Sequence, residues 1–305
     1  MHAIMKMLSK VISIISGLVN ILMILVVWQT RRKKTRTILM ANWSILTCLA
    51  AIVGIFEYEN TPRFVYGPGT CHFMEFLKNL ILNMVPLNVY VIVYEMSWQL
   101  GPRNGILLAK KILSQCYAIA TIGAFGTIFM TEYEEGEDDV DECVKVPLWN
   151  SVKATVSFET VRALAFHVVI PVLIATVLNE SRVKMKFLRT LQDQHAGPTL
   201  VDGKLRRVRW FFGYSTIFAL IWISFGIFLA WHRVHVRVTP DYTFSERTSI
   251  LINLSICTFY VYVSMGPMIV LWSGDVNMWE RLTNLFARSG TAPPPQNGQP
   301  IQVVM

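Results

Sequence analysis

Charged residues are scarce in this chain of 305 residues. They make up 16% of it, whereas hydrophobic residues make up 53%, and soluble domains usually carry about 25% charged residues. This shortage excludes a disordered chain, a fibrous protein and an ordinary secreted disulfide scaffold. The apolar residues also occur in long blocks with few charges, which is typical of a protein that crosses the membrane several times.

Motifs of catalytic and metal sites are also missing. The sequence has no HExxH, GxGD or GxSG, and none of its five cysteines forms a CxxC pair. His232 and His235 form an HxxH at a helix end, where histidines are more often interfacial than metal ligands. Five of the seven apolar blocks lack the mid-membrane acids that an ion pathway needs. We therefore expect neither an enzyme nor a transporter, and no cofactor or bound metal.

Seven apolar blocks are long enough to cross a bilayer, which takes about 20 helical residues. They cover residues 11–30, 37–56, 71–100, 112–131, 156–179, 210–231 and 248–274. We predict an all-α membrane protein whose seven spans form one helix bundle.

Basic residues flank these blocks unevenly, and they account for much of the net charge of +8. The segments after the first, third and fifth blocks carry most of the lysines and arginines. The positive-inside rule then predicts an N-terminus outside and a C-terminus inside the cell. Because no zinc-finger, KH-type or RNP-type pattern is present, we expect no binding to nucleic acid.

The segment after the seventh block has apolar residues at helical spacing. It predicts a short helix at 276–287 that lies in the inner membrane interface. The last residues, 288–305, are rich in proline and polar residues and predict a disordered cytoplasmic tail. Residues 1–287 would then form one membrane domain.

Particular residues in this layout resemble class A (rhodopsin-like) G-protein-coupled receptors. The first block contains Gly17-Leu-Val-Asn20, and a buried asparagine there can bridge the backbones of neighbouring helices. The fifth block has Pro171, the sixth has Phe218-Ala-Leu-Ile-Trp222-Ile-Ser, and the seventh ends with Gly266-Pro267. Their order and spacing match the family over roughly residues 10 to 287.

The resemblance implies several properties. Cys71 opens the third block and Cys143 lies in the loop after the fourth, as in the family's disulfide between those two elements. A receptor of this family would reside in the plasma membrane and act on a heterotrimeric G protein.

Departures from the family pattern occur at the activation motifs. Glu95-Met96-Ser97 stands where Asp-Arg-Tyr is usual, and Thr47 replaces the aspartate that binds sodium. Pro86 falls in the middle of the third span, where it should kink the helix. Such erosion is common in virus-encoded orphan receptors, especially those of herpesviruses, and also occurs in divergent invertebrate receptors.

We therefore expect an orphan receptor with weak or ligand-independent signalling, and no sodium site. The alternative is a non-signalling seven-span protein that binds or downregulates host membrane proteins. The sequence does not distinguish these two functions.

A ligand surface is suggested by the acidic segment 132–142, which contains eight acids in eleven residues. Such a segment should be solvated rather than packed, and it is either a solubilising loop or a surface that attracts a basic peptide or protein. Family geometry places a pocket below it. The pocket candidates are Glu57, Lys78, Glu159, Arg162, His167, Trp222, Phe225 and Tyr260. Lys78 could instead pair with Glu57 or Glu75.

Overall fold

The computed structural model describes residues 2–28, 35–59, 68–98, 106–134, 142–195, 200–238 and 246–272. Long helices dominate these ranges. They are α1 (His2–Trp28), α2 (Thr35–Glu59), α3 (Pro68–Trp98), α4 (Ile106–Phe125), α5 (Val152–Ala163), α6 (Ile170–His195), α7 (Leu200–Val238) and α8 (Glu246–Trp272). The prediction of an all-α protein of membrane type is confirmed at this level.

Five of the described helices contain segments long and apolar enough to cross a membrane. These segments are Lys10–Trp28, Gly69–Ser97, Lys110–Met130, Val152–Phe187 and Arg209–His235. Helices α2 and α8 contain the shorter apolar stretches Ile38–Gly54 and Cys257–Ile269. Five of the seven predicted spans thus meet the length criterion within the described residues.

Helix α3 occupies the middle of the bundle. It packs against α2, α4, α6 and α7, while α1 packs against α2 and α8. In α3, 72% of the most apolar segment is buried, whereas the corresponding share is 22–39% in the other four candidate spans. Helix α1 instead leaves Ile15 and Leu18 exposed, as expected for side chains that face lipid.

The fifth predicted span is longer than expected. Helix α5 starts at Val152, where the Oγ of Ser151 accepts a hydrogen bond from the backbone N–H of Ala154 at 3.3 Å and caps the helix. A π-helical turn, Leu164–Val169, joins it to α6. The sequence predicted a span over 156–179, but the helix continues to His195, because polar residues can extend it beyond the apolar segment.

A small hairpin lies between α4 and α5. Strand β1 (Thr131–Glu134) pairs antiparallel with β2 (Glu142–Lys145), with Tyr133 opposite Cys143. The acidic segment therefore begins and ends in regular structure, which the sequence analysis did not predict. Glu132 and Glu134 are exposed on β1, so alternation along the strand lets these acids stay solvated within regular structure.

Residues 135–141 lie outside the described residues. So do the predicted interfacial helix at 276–287 and the tail at 288–305.

Candidate functional site

The π turn between α5 and α6 determines where His167 lies. Pro171 has no N–H to donate to the carbonyl of His167, and its ring would crowd that carbonyl in a regular helix. Around this proline the helix widens, and the N–H of Ile170 bonds to the carbonyl of Ala165, five residues back. Single π turns of this kind are frequent at functional sites.

His167 is buried and lies against α7. A Cβ placed on Gly226 would lie 2.1 Å from the Cβ of His167, so only glycine allows this close approach. The imidazole also contacts the indole of Trp222, with 5.6 Å between ring centroids. His167 Nδ1 and Trp222 Nε1 are both buried, and neither has a hydrogen-bond partner among the residues that the structure describes. Burial of such groups is costly unless something binds there.

An aromatic cluster surrounds Trp222. Its ring centroid lies 5.2 Å from that of Phe218, 5.5 Å from that of Phe225 and 5.8 Å from that of Phe259. Three of these four aromatic residues lie on α7 and Phe259 lies on α8. The sequence pattern predicted the α7 residues of this cluster. On α8 it pointed to Tyr260, whereas the structure places Phe259 against Trp222.

Tyr260 faces the other way. Its hydroxyl donates a hydrogen bond to the carbonyl of Ala50 on α2 at 2.7 Å. A Cβ on Gly54 would lie 2.1 Å from that hydroxyl, so Gly54 makes room for this contact. Tyr260 therefore ties α8 to α2, while its neighbour Phe259 meets Trp222.

A buried ionic cluster lies on the same helix as His167. The Nε and Nη2 of Arg162 donate to Oε2 of Glu159 at 3.2 and 2.5 Å. Nη1 of Arg162 donates to Oδ1 of Asn79 on α3, and Nδ2 of Asn79 donates to Oε1 of Glu75 at 3.1 Å. All four residues are buried, so α3 and α5 are joined by charged groups with few contacts to solvent.

The two clusters divide the predicted pocket. His167, Trp222 and Phe225 come together, whereas Glu159 is engaged by Arg162. Lys78 is half-buried and immediately precedes Asn79 in α3. The side chain of Glu57 lies outside the described residues, so its predicted pairing with Lys78 stays a prediction.

The positions of the activation motif on α3 are buried. Met96 is 1% exposed and belongs to the hydrophobic core, and Glu95 and Ser97 beside it are also buried. Pro86 is buried within the same helix. Met96 thus contributes an apolar side chain to the core between two buried polar residues.

Trp43 is fully buried on α2 and packs against α8. Its ring packs against α8 so closely that a Cβ on Gly266 would lie 2.1 Å from it, and Pro267 follows in the buried part of α8. Thr47 donates to the carbonyl of Trp43 at 3.0 Å. Thr47 and Gly266 therefore both contact one buried tryptophan.

Asn20 does not make the predicted bridge between helices. Its Nδ2 donates to the carbonyl of Ser16 in its own helix at 2.9 Å, and its Oδ1 is buried with no partner within the described part of the chain. The link between α1 and α8 is instead a hydrogen bond from Ser264 to Ser16.

Sequence reasoning missed a polar group that joins α2, α3 and α4. The hydroxyl of Tyr117 donates to Oδ1 of Asn42 at 2.5 Å, and Nδ2 of Asn42 donates to Oδ1 of Asn88 at 3.1 Å. A signal was present, since Asn42 and Asn88 are polar residues within apolar blocks. Their mutual contact depends on helix orientations that the sequence does not specify.

Cys71 is buried near the start of α3, and its Sγ lies 3.9 Å from the carbonyl oxygen of Glu132 on β1. The side chain of Cys143 lies outside the described residues, although its backbone pairs with Tyr133 in the hairpin. Cys48 and Cys116 are free thiols, and Cys257 is buried.

No protein-family model matches the chain, and no curated protein shows significant similarity to it. The arrangement of its own residues therefore carries the functional argument for this all-α, membrane-type protein.

Proposed function

We propose that this chain is a divergent seven-span receptor of the plasma membrane that resembles class A G-protein-coupled receptors and signals weakly. The observation that carries the proposal is the contact of His167 with Trp222 at the π turn. Two buried polar groups without partners meet there, at the tryptophan that serves as a switch in the family.

The proposed topology has seven spans with the N-terminus outside. It uses the five long apolar helices together with the shorter apolar stretches of α2 and α8. The uneven distribution of lysine and arginine supports the orientation. The proposed extracellular side then includes the hairpin and the first turns of α3 and α5.

A disulfide between Cys71 and Cys143 is part of the proposal. The Sγ of Cys71 lies 3.9 Å from the carbonyl oxygen of Glu132 on β1, and the register of the hairpin brings Cys143 opposite Tyr133, the next residue along that strand. The bond would hold the acidic hairpin at the start of α3, where it could attract a basic peptide or protein.

Weak coupling to a G protein follows from Met96. In the family, the arginine at this position contacts the G protein in the active state. Here the residue is apolar and buried in the core, so that contact is absent. The proposed receptor therefore relies on its remaining inner surface and should activate G proteins poorly.

The test is a ligand-free G-protein activation assay in transfected cells, with signals normalised to surface expression. We expect a low signal from the wild type, a higher signal per surface molecule from Met96→Arg, and a changed basal signal from Trp222→Leu. Trp210→Leu is the matched control, because Trp210 lies on the same helix but is 62% exposed.

If both the wild type and Met96→Arg match empty vector at equal surface expression, the receptor proposal fails. The result would then favour a non-signalling membrane protein that binds or downregulates other membrane proteins.

A further inference from the structure

A cleft opens between α7 and α8 on the side of the bundle. It has a volume of about 440 Å³ and reaches inward to Trp222 and Phe259. At its mouth lie Leu220, which is 64% exposed, and Leu254, which is 52% exposed. Volumes of 300–1,000 Å³ are typical of ligand sites, so the cleft is large enough to hold a ligand.

The depth of the cleft matches the hydrocarbon core. Trp222 is the central residue of the candidate span Arg209–His235. Along α7 the lining runs from Phe218 to Phe228, which at 1.5 Å per residue is about 15 Å, half of the ~30 Å core. The exposed leucines at the mouth would therefore face lipid tails rather than water.

The lining offers few free polar groups. Ser224 Oγ donates to the carbonyl of Leu220 at 3.3 Å, and Ser255 Oγ donates to the carbonyl of Leu251 at 2.8 Å. Thr258 Oγ1 donates to the carbonyl of Leu254 at 2.8 Å. These three hydroxyls are satisfied within their own helices. The remaining polar side-chain groups of the lining are Nε1 of Trp222, which has no hydrogen-bond partner among the described residues, and the hydroxyl of Tyr262. The rest of the wall is aromatic or aliphatic. A polar ligand would lose hydration here without gaining comparable hydrogen bonds.

We propose that this cleft holds one acyl chain of a bilayer phospholipid, which inserts sideways between α7 and α8. The open mouth at membrane depth supplies the route, and the largely apolar lining near the middle of the span suits the end of a hydrocarbon chain, which lies near the bilayer centre. In the occupied cleft the acyl chain would contact Trp222 and Phe259. The lipid composition of the membrane would therefore affect the packing of the aromatic cluster. The inference rests on the insertion of the protein into a membrane and not on signalling by the protein.

The test uses the full chain in lipid nanodiscs that contain phosphatidylcholine with a photoreactive diazirine on one acyl chain. After irradiation, labelled residues are mapped by mass spectrometry. We expect labelling in the cleft, at Ser255 and Thr258, at least threefold above that at Ile217, an exposed residue of α7 that does not line the cleft.

Filling the cleft should remove this labelling. Ser224→Trp blocks the cleft from α7 and Leu254→Trp blocks it from α8, and each should lower labelling of Thr258 at least threefold. Ile217→Trp adds the same bulk to the same helix outside the cleft and should leave that labelling unchanged. Two blocking variants keep the test valid if one of them fails to fold.

Labelling that is no stronger in the cleft than at Ile217, or that survives both blocking substitutions, would overturn the proposal. Labelling of the cleft by a diazirine-bearing sterol, but not by the phospholipid, would overturn the choice of an acyl chain. Because the readout does not involve a G protein, a failure of the receptor proposal leaves these outcomes unaffected.

Discussion

Arg162 on α5 and Asn79 on α3 are joined by a hydrogen bond from the guanidinium to the side-chain carbonyl, although 83 positions separate them in the sequence. The same guanidinium donates twice to Glu159. Because a buried charge is tolerated only when it is paired, this contact fixes how α3 and α5 face one another.

Arg162→Met should therefore destabilise the protein by about 3–5 kcal/mol, since it leaves the carboxylate of Glu159 buried without its partner. Thermal unfolding in nanodiscs measures the effect. The double variant Arg162→Met/Glu159→Met should be more stable than the single one, because both charges are removed. Lys153→Met, at an exposed position of α5, is the control. A single variant as stable as the double one would contradict the pairing.

Gly226→Ala should destabilise the protein by about 1–3 kcal/mol, as expected when a methyl group is forced into a packed contact. The added Cβ would collide with His167 and separate α7 from the π turn. Gly213→Ala is the matched control on the same helix, because a Cβ there meets nothing within 4 Å. It should be neutral, or stabilising by up to about 1 kcal/mol. Equal effects of the two substitutions on thermal unfolding would show that the approach of His167 to Gly226 is not tight.

Cys143→Ala should reduce surface expression to the level of Cys71→Ala, and the double variant should be no worse than either single one. Closing a loop of about 70 residues contributes roughly 4 kcal/mol in the chain-entropy model. Alkylation with and without reductant, followed by mass spectrometry, detects the disulfide between Cys71 and Cys143 directly. Cys116→Ala removes a free thiol and serves as the control. Ready alkylation of Cys71 and Cys143 without reductant in the folded protein would exclude the bridge.

Neutralising Glu134, Glu135, Glu137, Asp138 and Asp139 should slow association of a cationic peptide several-fold. Attraction by clustered acids raises association rates, and it weakens as salt rises. The measurement compares the association rate of an oligoarginine peptide with the wild-type and the neutralised protein in nanodiscs, at low and at physiological salt. Glu180→Gln, at an exposed position of α6, controls for loss of one acid elsewhere. Unchanged association in the neutralised variant would leave the segment a solubilising surface only.

The sequence was sufficient to predict the helices but not their rotation. Block lengths and flanking charges identify the helices, and the spacing around Pro171 and Trp222 points to His167. Successive residues of a helix point about 100° apart, so choosing between Phe259 and Tyr260 requires knowing which face of α8 packs inward. Helix α8 is apolar around most of its circumference, and its pattern therefore does not indicate that face.

The sequence also does not predict which distant polar residues contact one another. Arg162 contacts Asn79, and Asn42 contacts Asn88, only because each pair lies at the same level along two neighbouring helices. Arg162 carried a signal as a charge within an apolar block, yet several acids were available as partners. The sequence also did not predict the π turn, because a proline within a helix can cause either a kink or a widened turn.

Nucleotide exchange on purified G protein, measured with the reconstituted full chain in nanodiscs, tests the central claim most directly. The account predicts slow exchange above the rate with empty nanodiscs for the wild type, a several-fold faster rate for Met96→Arg, and an altered rate for His167→Ala at equal amounts of folded protein. Exchange at the rate of empty nanodiscs for all three proteins, across the G-protein subtypes, would contradict it.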